Sequence, residues 1–82
     1  MARYFFHMQT HSRWTDDVGL ELSTAKEARA QAIITCGQML KDEPAGFWGT
    51  RPWSITVTNA DGLILWELAM DGFASAAGEA LG

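Results

Sequence analysis

The two histidines, His7 and His11, are the first candidates for chemistry, because an imidazole can bind a metal ion or transfer a proton. Four residues apart on a strand, they would lie about 13 Å from each other, which is too far to share one ion. His7 could pair with Asp16 or Asp17 across a hairpin, but no serine or cysteine nucleophile is evidently adjacent. We therefore expect a hydrogen-bonded structural histidine at position 7, with no metal, no cofactor and no catalytic residue.

The other reactive side chains have structural explanations. Cys36 is the only cysteine, so the chain can form no internal disulfide or redox pair, which suits a reducing compartment. It falls on the apolar side of a predicted helix, where burial raises a thiol pKa and lowers its reactivity. The acidic candidates lie in turns and lack the twelve-residue pattern of a calcium loop: Asp16, Asp17, Glu21 and Asp61.

Composition and charge disfavour several classes of protein. The chain has 82 residues, of which 48% are hydrophobic and 20% charged, and this balance is typical of one small folded domain. Ten acidic against six basic residues give a net charge of −4, which disfavours binding to nucleic-acid phosphates. No window approaches the roughly 18 apolar residues of a membrane span, and the N-terminal apolar run is too short for a signal peptide. A cytoplasmic location is therefore expected.

The first elements that position these side chains are strands. Residues 4–9 alternate in polarity, which predicts a strand with a core side and a solvent side. A second strand is predicted within residues 14–22, interrupted by a turn from Asp16 to Gly19 in which the glycine is left-handed. The first strand is expected to present Tyr4, Phe6 and Met8 to the core and Phe5, His7 and Gln9 to solvent.

A helix is predicted to begin at Thr24, whose hydroxyl can form a capping box with Glu27. The apolar stripe of this helix contains Ala25, Ala28, Ala32, Ile33, Cys36, Met39 and Leu40. Ile34 falls outside the stripe and is expected to be exposed, and Pro44 marks the end of the helix. Residues 47–53 follow as an aromatic connection.

The clearest strand is residues 53–58, which alternate strictly and are followed by a turn at residues 59–62. The inward set is Trp53, Ile55 and Val57, and the set facing water is Ser54, Thr56 and Thr58. A four-residue loop pairs Thr58 with Leu63, whereas a three-residue loop would bury the carboxylate of Glu67. The favoured register sets Ile64, Trp66 and Leu68 across from Val57, Ile55 and Trp53, and leaves Leu63, Leu65 and Glu67 on the outer face.

This order of elements predicts an α+β fold of the type β-β-α-β-β. Four strands form a mainly antiparallel sheet, and one helix packs on one face of it. Residues 1–70 form a single domain, and residues 71–82 form a tail rich in small residues that is either loosely helical or frayed. The strand order is open between 2-1-4-3 and 2-1-3-4, because both satisfy the rules for connections.

Four short motifs occur in a fixed order along the chain: Arg3-Tyr4-Phe5-Phe6-His7, Asp16-x-x-Gly19-x-Glu21-Leu22, Glu27-Ala28-Arg29-x-x-Ala32 and Val57-x-Asn59-x-x-Gly62-x-Ile64-Leu65. Over residues 2–70 this order resembles a family of short alphaproteobacterial proteins of unknown function. The chain departs from the family pattern at Asn59, where an acidic residue is common, in the longer connection at 47–53 and in the tail. The resemblance implies the fold and assigns no activity.

The outer face of the sheet is the best functional candidate that the pattern offers. One helix can cover only one face, which leaves an apolar patch that a stable monomer has reason to hide. The predicted interaction surface consists of Phe5, His7, Leu63 and Leu65. We therefore expect a non-catalytic interaction or accessory module that forms a homodimer or binds an unidentified protein, unless the tail or the aromatic connection covers the patch.

Two other classes of function remain open. Five side chains offer the stacking surfaces and cations of a single-strand binder: Arg13, Trp14, Trp48, Arg51 and Trp53. The alternative is therefore an antitoxin-like regulator or a nucleic-acid-binding protein, which the net charge of −4 disfavours. An enzyme is the third possibility, and it would need a concave pocket that holds His7 with a second polar group.

Overall fold

The computed structural model describes all 82 residues and contains five strands and three helices. In chain order they are β1 (Ala2–Gln9), β2 (Arg13–Trp14), β3 (Leu20–Leu22), α1 (Ala25–Asp42), α2 (Pro44–Thr50), β4 (Trp53–Thr58), β5 (Ile64–Met70) and α3 (Ala76–Glu79). An open antiparallel sheet with one main helix confirms the α+β class. The sheet has five strands instead of four, because the turn at Asp16 divides the predicted second strand into β2 and β3.

The sheet is ordered β2-β1-β4-β5, and β3 pairs with the first half of β1. Since β2 and β3 together occupy the place of the second predicted strand, the observed order is 2-1-3-4. All pairings are antiparallel. The long strands β1 and β4 are central, and β5 is an edge strand with a neighbour on one side only.

The turn between β2 and β3 depends on the glycine that the sequence placed there. Gly19 has φ of 76°, in the left-handed region that side chains disfavour. A Cβ atom at this position would lie 2.9 Å from both Arg3 Cγ and Phe5 Cε2. The turn therefore lies directly against β1, and only glycine permits this approach.

Helix α1 begins with the predicted capping box. The Glu27 amide donates to Thr24 Oγ1 at 3.2 Å, and the Thr24 amide donates to Glu27 Oε1 at 3.1 Å. Ala28 and Ala32 are fully buried, which lets the helix approach the sheet closely. Ile34 is exposed as predicted, but Ile33 is 59% exposed although it belongs to the predicted apolar stripe. The apolar stripe of α1 is thus wider than the part of the helix that the sheet covers.

Residues 44–50 form helix α2, so the prediction of an irregular aromatic connection at 47–53 was wrong there. Pro44 ends α1 and opens α2 at its first turn, a position where proline loses no hydrogen bond. Phe47 is buried with its ring edge-to-face with Trp53 at 5.5 Å, and Trp53 Nε1 donates to Thr50 Oγ1 at 2.8 Å. These tertiary contacts stabilise a helix too short to form alone.

The predicted register of β4 and β5 was wrong. The structure sets Trp66, Leu68 and Met70 opposite Val57, Ile55 and Trp53, and it shifts register between Val57 and Thr58. Leu65 is the extra residue of this β-bulge, and it packs against the core instead of lying on the outer face. The prediction failed because a bulge cannot be read from alternation alone. The central cluster of the core contains Tyr4, Phe6, Ala28, Ala32, Cys36, Ile55 and Val57, and Phe47 and Trp53 are buried beside it.

The tail follows β5 and contains one helical turn, α3, which Ser75 caps through a hydrogen bond from the Gly78 amide. Phe73 and Leu81 are 82% and 89% exposed, so the tail does not cover the sheet with its large side chains. Along the whole chain, no helix combines the length and hydropathy that a membrane crossing requires.

Candidate functional site

The outer face of the sheet, opposite α1, is polar. His7 on β1 lies directly opposite Thr56 on β4, and Thr56 lies opposite Glu67 on β5. Together with Arg13 and Thr58 these residues line a shallow groove of about 380 Å³. The groove meets the condition that would make an enzyme plausible, because it brings His7 together with other polar groups.

The hydrogen bonds of His7 decide what this groove can do chemically. The Asp16 amide donates to His7 Nδ1 at 3.1 Å, so Nδ1 carries no proton in this arrangement. The ring proton of the neutral imidazole is therefore on Nε2, which lies 3.2 Å from Thr58 Oγ1 and donates to it. A general base would have to accept the Thr58 proton at this nitrogen. His7 is thus hydrogen-bonded at both ring nitrogens, as the sequence predicted, and its lack of a catalytic role stays a prediction.

Thr58 was predicted to face water, and this was wrong. Its side chain is on the outer face, but the residue is only 7% exposed because His7 and the neighbouring strands cover it. A hydroxyl buried in this way needs a hydrogen-bond partner, and the imidazole provides one.

Asp16 holds the turn onto β1. Its Oδ1 accepts from the amides of Val18 and Gly19 at 3.0 Å, and its Oδ2 accepts from the Phe6 amide at 3.2 Å. Partial burial acts to raise the pKa of Asp16, but these three amides and nearby His7 outweigh burial and hold the pKa below its ordinary value of 3.8. The carboxylate therefore stabilises the turn in its charged form.

Acid should weaken this attachment. Because the pKa of Asp16 is lower in the folded than in the unfolded chain, its charge contributes stability that is fully present above about pH 5 and is lost as the pH falls through the folded pKa. We expect urea denaturation to show a smaller loss of stability between pH 6 and 3 in Asp16→Asn than in the unchanged protein. Equal losses in both proteins would contradict this role.

The four residues predicted as an interaction surface do not lie together. Phe5 and His7 are on the outer face but partly buried, because the Asp16 turn lies against them. Leu65 packs on the core, on the opposite side of the sheet. Leu63 is 62% exposed in the connection before β5. The Asp16 turn, which the sequence did not indicate as a cover, thus shields part of this face.

The largest cavity lies elsewhere, between α1 and the free edge of β5. It has a volume of about 460 Å³ and an apolar wall formed by Ala30, Ala32, Ile33, Trp66 and Leu68. Lys26, Arg29 and Glu67 line the same cavity, with the Arg29 guanidinium 5.9 Å from the centre of the Trp66 ring. We call this cavity together with the unpaired side of β5 the edge groove. The sequence pattern contained one signal for it, Ile33 in the apolar stripe, whereas the place of β5 at the edge of the sheet was left open between two strand orders.

The remaining candidate side chains lie apart from the two grooves or are held by internal contacts. Cys36 is buried on α1, and burial raises the pKa of its thiol, as expected. His11 lies in the turn after β1, with Nδ1 3.6 Å from Glu43 Oε2.

Arg51 and Trp53 are also committed to internal contacts. The Arg51 guanidinium stacks on Trp48 at 5.3 Å, donates to the carbonyls of Trp48 and Gly72, and lies 3.8 Å from Asp71 Oδ1. Trp53 is 1% exposed in the core. Neither residue offers a free surface for a nucleic-acid base.

A family model described as a domain of unknown function, DUF6894, matches residues 3–71. The chain belongs to this family. The match covers β1 through β5 and ends at the residue after β5, so it includes both the Asp16 turn and the edge groove and leaves out most of the tail. It confirms a family of unknown function over nearly the residues that the motifs indicated, whereas the alphaproteobacterial origin stays a prediction. No curated protein and no solved structure matches the chain significantly.

Proposed function

We propose that this protein is a non-catalytic, cytoplasmic interaction module that self-associates through the edge groove. The observation that carries the proposal is the free side of β5, a seven-residue strand with one charged residue and no proline, flanked by an apolar cavity. Unpaired backbone amides and carbonyls on such an edge are a template for another strand.

The usual protections of an edge strand are weak on β5. Natural edges carry several charges, a proline or a bulge that interrupts pairing. The β5 bulge is at Leu65, near the start of the strand, and leaves residues 66–70 in regular register with β4. The edge is therefore both long enough and regular enough to accept a further strand.

Ile33 supports the same surface. It belongs to the apolar stripe of α1 yet is 59% exposed, and it lines the edge groove beside the half-buried Trp66 and Leu68. A second copy bound against the groove would bury Ile33, and this burial would contribute hydrophobic free energy that a single copy lacks. The outer face offers less, because it is mainly polar and the Asp16 turn shields Phe5 and His7.

Two neighbouring isoleucines on α1 give a matched test. Ile33 lines the edge groove, whereas Ile34, 53% exposed, does not. We expect sedimentation equilibrium to show a dimer for the unchanged protein and for Ile34→Asp, and at least about tenfold weaker association for Ile33→Asp, because a carboxylate would have to be desolvated in the interface. Circular dichroism would check that both variants fold.

A strict monomer at the highest soluble concentration, or equal weakening by both substitutions, would rule out this surface. Nucleic-acid binding, the alternative, has less support because Arg51 and Trp53 are engaged internally and the net charge is −4. A salt-dependent mobility shift with single-stranded DNA or RNA would favour it over self-association.

A further inference from the structure

We propose that His7 attaches the Asp16 turn to β1 only while its imidazole is neutral, so that mild acid opens this attachment. The proposal concerns the outer face of the sheet and does not depend on the proposed self-association. It starts from one contact, in which the Asp16 amide donates to His7 Nδ1 at 3.1 Å. Because a backbone N–H can only donate, this contact requires a lone pair on Nδ1.

Protonation of His7 removes the acceptor that the turn uses. An imidazolium carries a hydrogen on both ring nitrogens and has no lone pair with which to accept. Turning the ring over does not restore the contact, because the other nitrogen would also present an N–H to the Asp16 amide. The second contact of the ring is kept, since Nε2 already donates to Thr58 Oγ1 in the neutral form. The added proton therefore acts on the turn and not on β4.

An imidazole and the Asp16 carboxylate respond to acid in different pH ranges. Histidine is the side chain that ordinarily changes charge between about pH 5 and 8. The pKa of Asp16 is held below its ordinary value of 3.8, so its carboxylate stays charged throughout that range. A change of the turn in mild acid is thus distinct from the loss of the Asp16 charge, which occurs at lower pH.

The Asp16 carboxylate does not restore the lost contact. It attracts an imidazolium through its opposite charge. Its oxygens accept from the amides of Phe6, Val18 and Gly19, and none of these bonds replaces the acceptor lost at Nδ1. An imidazolium that moves to pair with the carboxylate leaves the Asp16 amide without its partner. The contact at Nδ1 is therefore lost whether the ring stays in place or moves.

The other charged groups near His7 do not restore the contact either. Arg13 on β2 lines the same groove, so its charge opposes a second cation there. Glu67 on β5 lines it too, but β4 lies between the two strands, which puts Glu67 about 10 Å from His7 by strand spacing. Asp17 is exposed beside Asp16 in the turn. The residues of β4 that line these grooves carry hydroxyl groups and no charge: Ser54, Thr56 and Thr58.

The opening is confined to the Asp16 end of the turn. At the other end, the Arg3 guanidinium donates to the Val18 carbonyl at 2.9 Å, and Gly19 lies directly against Arg3 and Phe5. These contacts involve no imidazole and persist in mild acid. Protonation of the ring therefore replaces a neutral, hydrogen-bonded side chain with a cation, and the outer groove becomes more positive while the domain stays folded.

Nuclear magnetic resonance of the unchanged protein tests the contact at its own atoms. The nitrogen-15 signals of the His7 ring should show a hydrogen only on Nε2 at about pH 8 and on both nitrogens at about pH 5. We expect the Asp16 amide signal to shift with the same midpoint as the ring signals. A ring that stays neutral down to about pH 5, or an Asp16 amide that does not respond when the ring gains its proton, would overturn the proposal.

Two matched substitutions test whether His7 causes the response. His7→Asn places a carbonyl oxygen near the position of Nδ1, and this acceptor takes up no proton in mild acid. In the unchanged protein and in His11→Asn, hydrogen exchange of the Asp16 amide, corrected for the intrinsic effect of pH, should be about three- to tenfold faster at about pH 5.5 than at about pH 7.5, as expected for the loss of one hydrogen bond. In His7→Asn the corrected rate should not change.

Circular dichroism would check that His7→Asn folds, because the substitution also removes the partner of the Thr58 hydroxyl. If this variant does not fold, the resonance measurement on the unchanged protein decides the proposal alone. The same pH response in His7→Asn as in the unchanged protein would contradict the proposal, because another group would then open the turn. Loss of the response in His11→Asn would contradict it as well, since His11 would then be the group that gains the proton.

Discussion

Replacing Asp16 with alanine is expected to lower the free energy of unfolding by about 3 kcal/mol. The carboxylate accepts from three backbone amides, and one hydrogen bond to a charged group contributes about 1.5–3 kcal/mol net; the sum is smaller than three such bonds because water can reach the partly exposed turn and replace some of them. For a domain of this size the melting temperature should fall by about 12–24 °C. Urea denaturation followed by tryptophan fluorescence would measure the loss. Protein concentration must be held fixed, because the proposed self-association would also stabilise the fold.

Two variants separate the contributions of the Asp16 carboxylate. Asp16→Asn keeps an acceptor for the amides of Val18 and Gly19, but its amide group cannot accept from Phe6 as Oδ2 does, so we expect about half the loss of the alanine variant. Asp17→Ala changes an exposed neighbour and should alter stability by less than about 0.5 kcal/mol. Equal effects of the two alanine variants would show that charge, and not the hydrogen bonds, carries the effect.

Asp16→Ala should also change the outer face of the sheet. The Asp16 amide donates to His7 Nδ1, and the turn lies against Phe5. Releasing the turn should therefore expose Phe5 and free His7, which would increase the binding of a hydrophobic dye. The Asp-x-x-Gly motif of the chain thus has a structural role, because it attaches the turn between β2 and β3 to the centre of the sheet.

Features fixed by local physics could be predicted from the sequence. Thr24 and Glu27 are three residues apart, and the capping box that joins them needs no information from the rest of the chain. Gly19 and Gly62 both have positive φ, as their positions in turns required. The core side of β4 followed from strict alternation, and that of β1 from the polar residues on its other side.

Features that depend on tertiary contacts could not be predicted. Helix α2 exists because Phe47 packs on Trp53, two residues whose meeting no local pattern encodes. The bulge at Leu65 adds Leu65 and Met70 to the residues of β5 that pack against the core and leaves Ile64 55% exposed, which regular alternation does not predict. One displaced residue moved Leu65 away from the outer face, and with it the predicted interaction surface.

The exposure of Ile33 shows a different limit. Periodicity identifies which helix residues form an apolar stripe, but it does not say whether the sheet is wide enough to cover them. Here β5 is the last strand of the sheet and does not cover Ile33. Ile33 therefore fits the apolar pattern of α1 and yet remains exposed. The mismatch between the apolar stripe of α1 and the width of the sheet is therefore one of the observations on which the proposed self-association rests.

The largest loss of stability is expected for Trp53→Ala. Trp53 is 1% exposed, stacks edge-to-face with Phe47 and donates from Nε1 to Thr50 Oγ1. Removing a fully buried tryptophan costs about 3–5 kcal/mol, which approaches the whole stability of many small domains. We expect α2 to lose its packing surface, visible as a loss of near-ultraviolet circular dichroism and an unfolding transition at much lower urea concentration.

Trp53→Phe keeps the test informative if the alanine variant does not fold. It retains an aromatic ring against Phe47 but removes the hydrogen bond to Thr50, so the expected loss is about 1–2 kcal/mol. Trp48→Ala is the matched control, because Trp48 lies in α2, the helix that packs on Trp53, but is 54% exposed. Its replacement should cost less than about 1 kcal/mol even with its contact to Arg51. A larger loss for Trp48→Ala than for Trp53→Phe would mean that the stacked Arg51, and not the buried ring of Trp53, attaches α2 to the sheet.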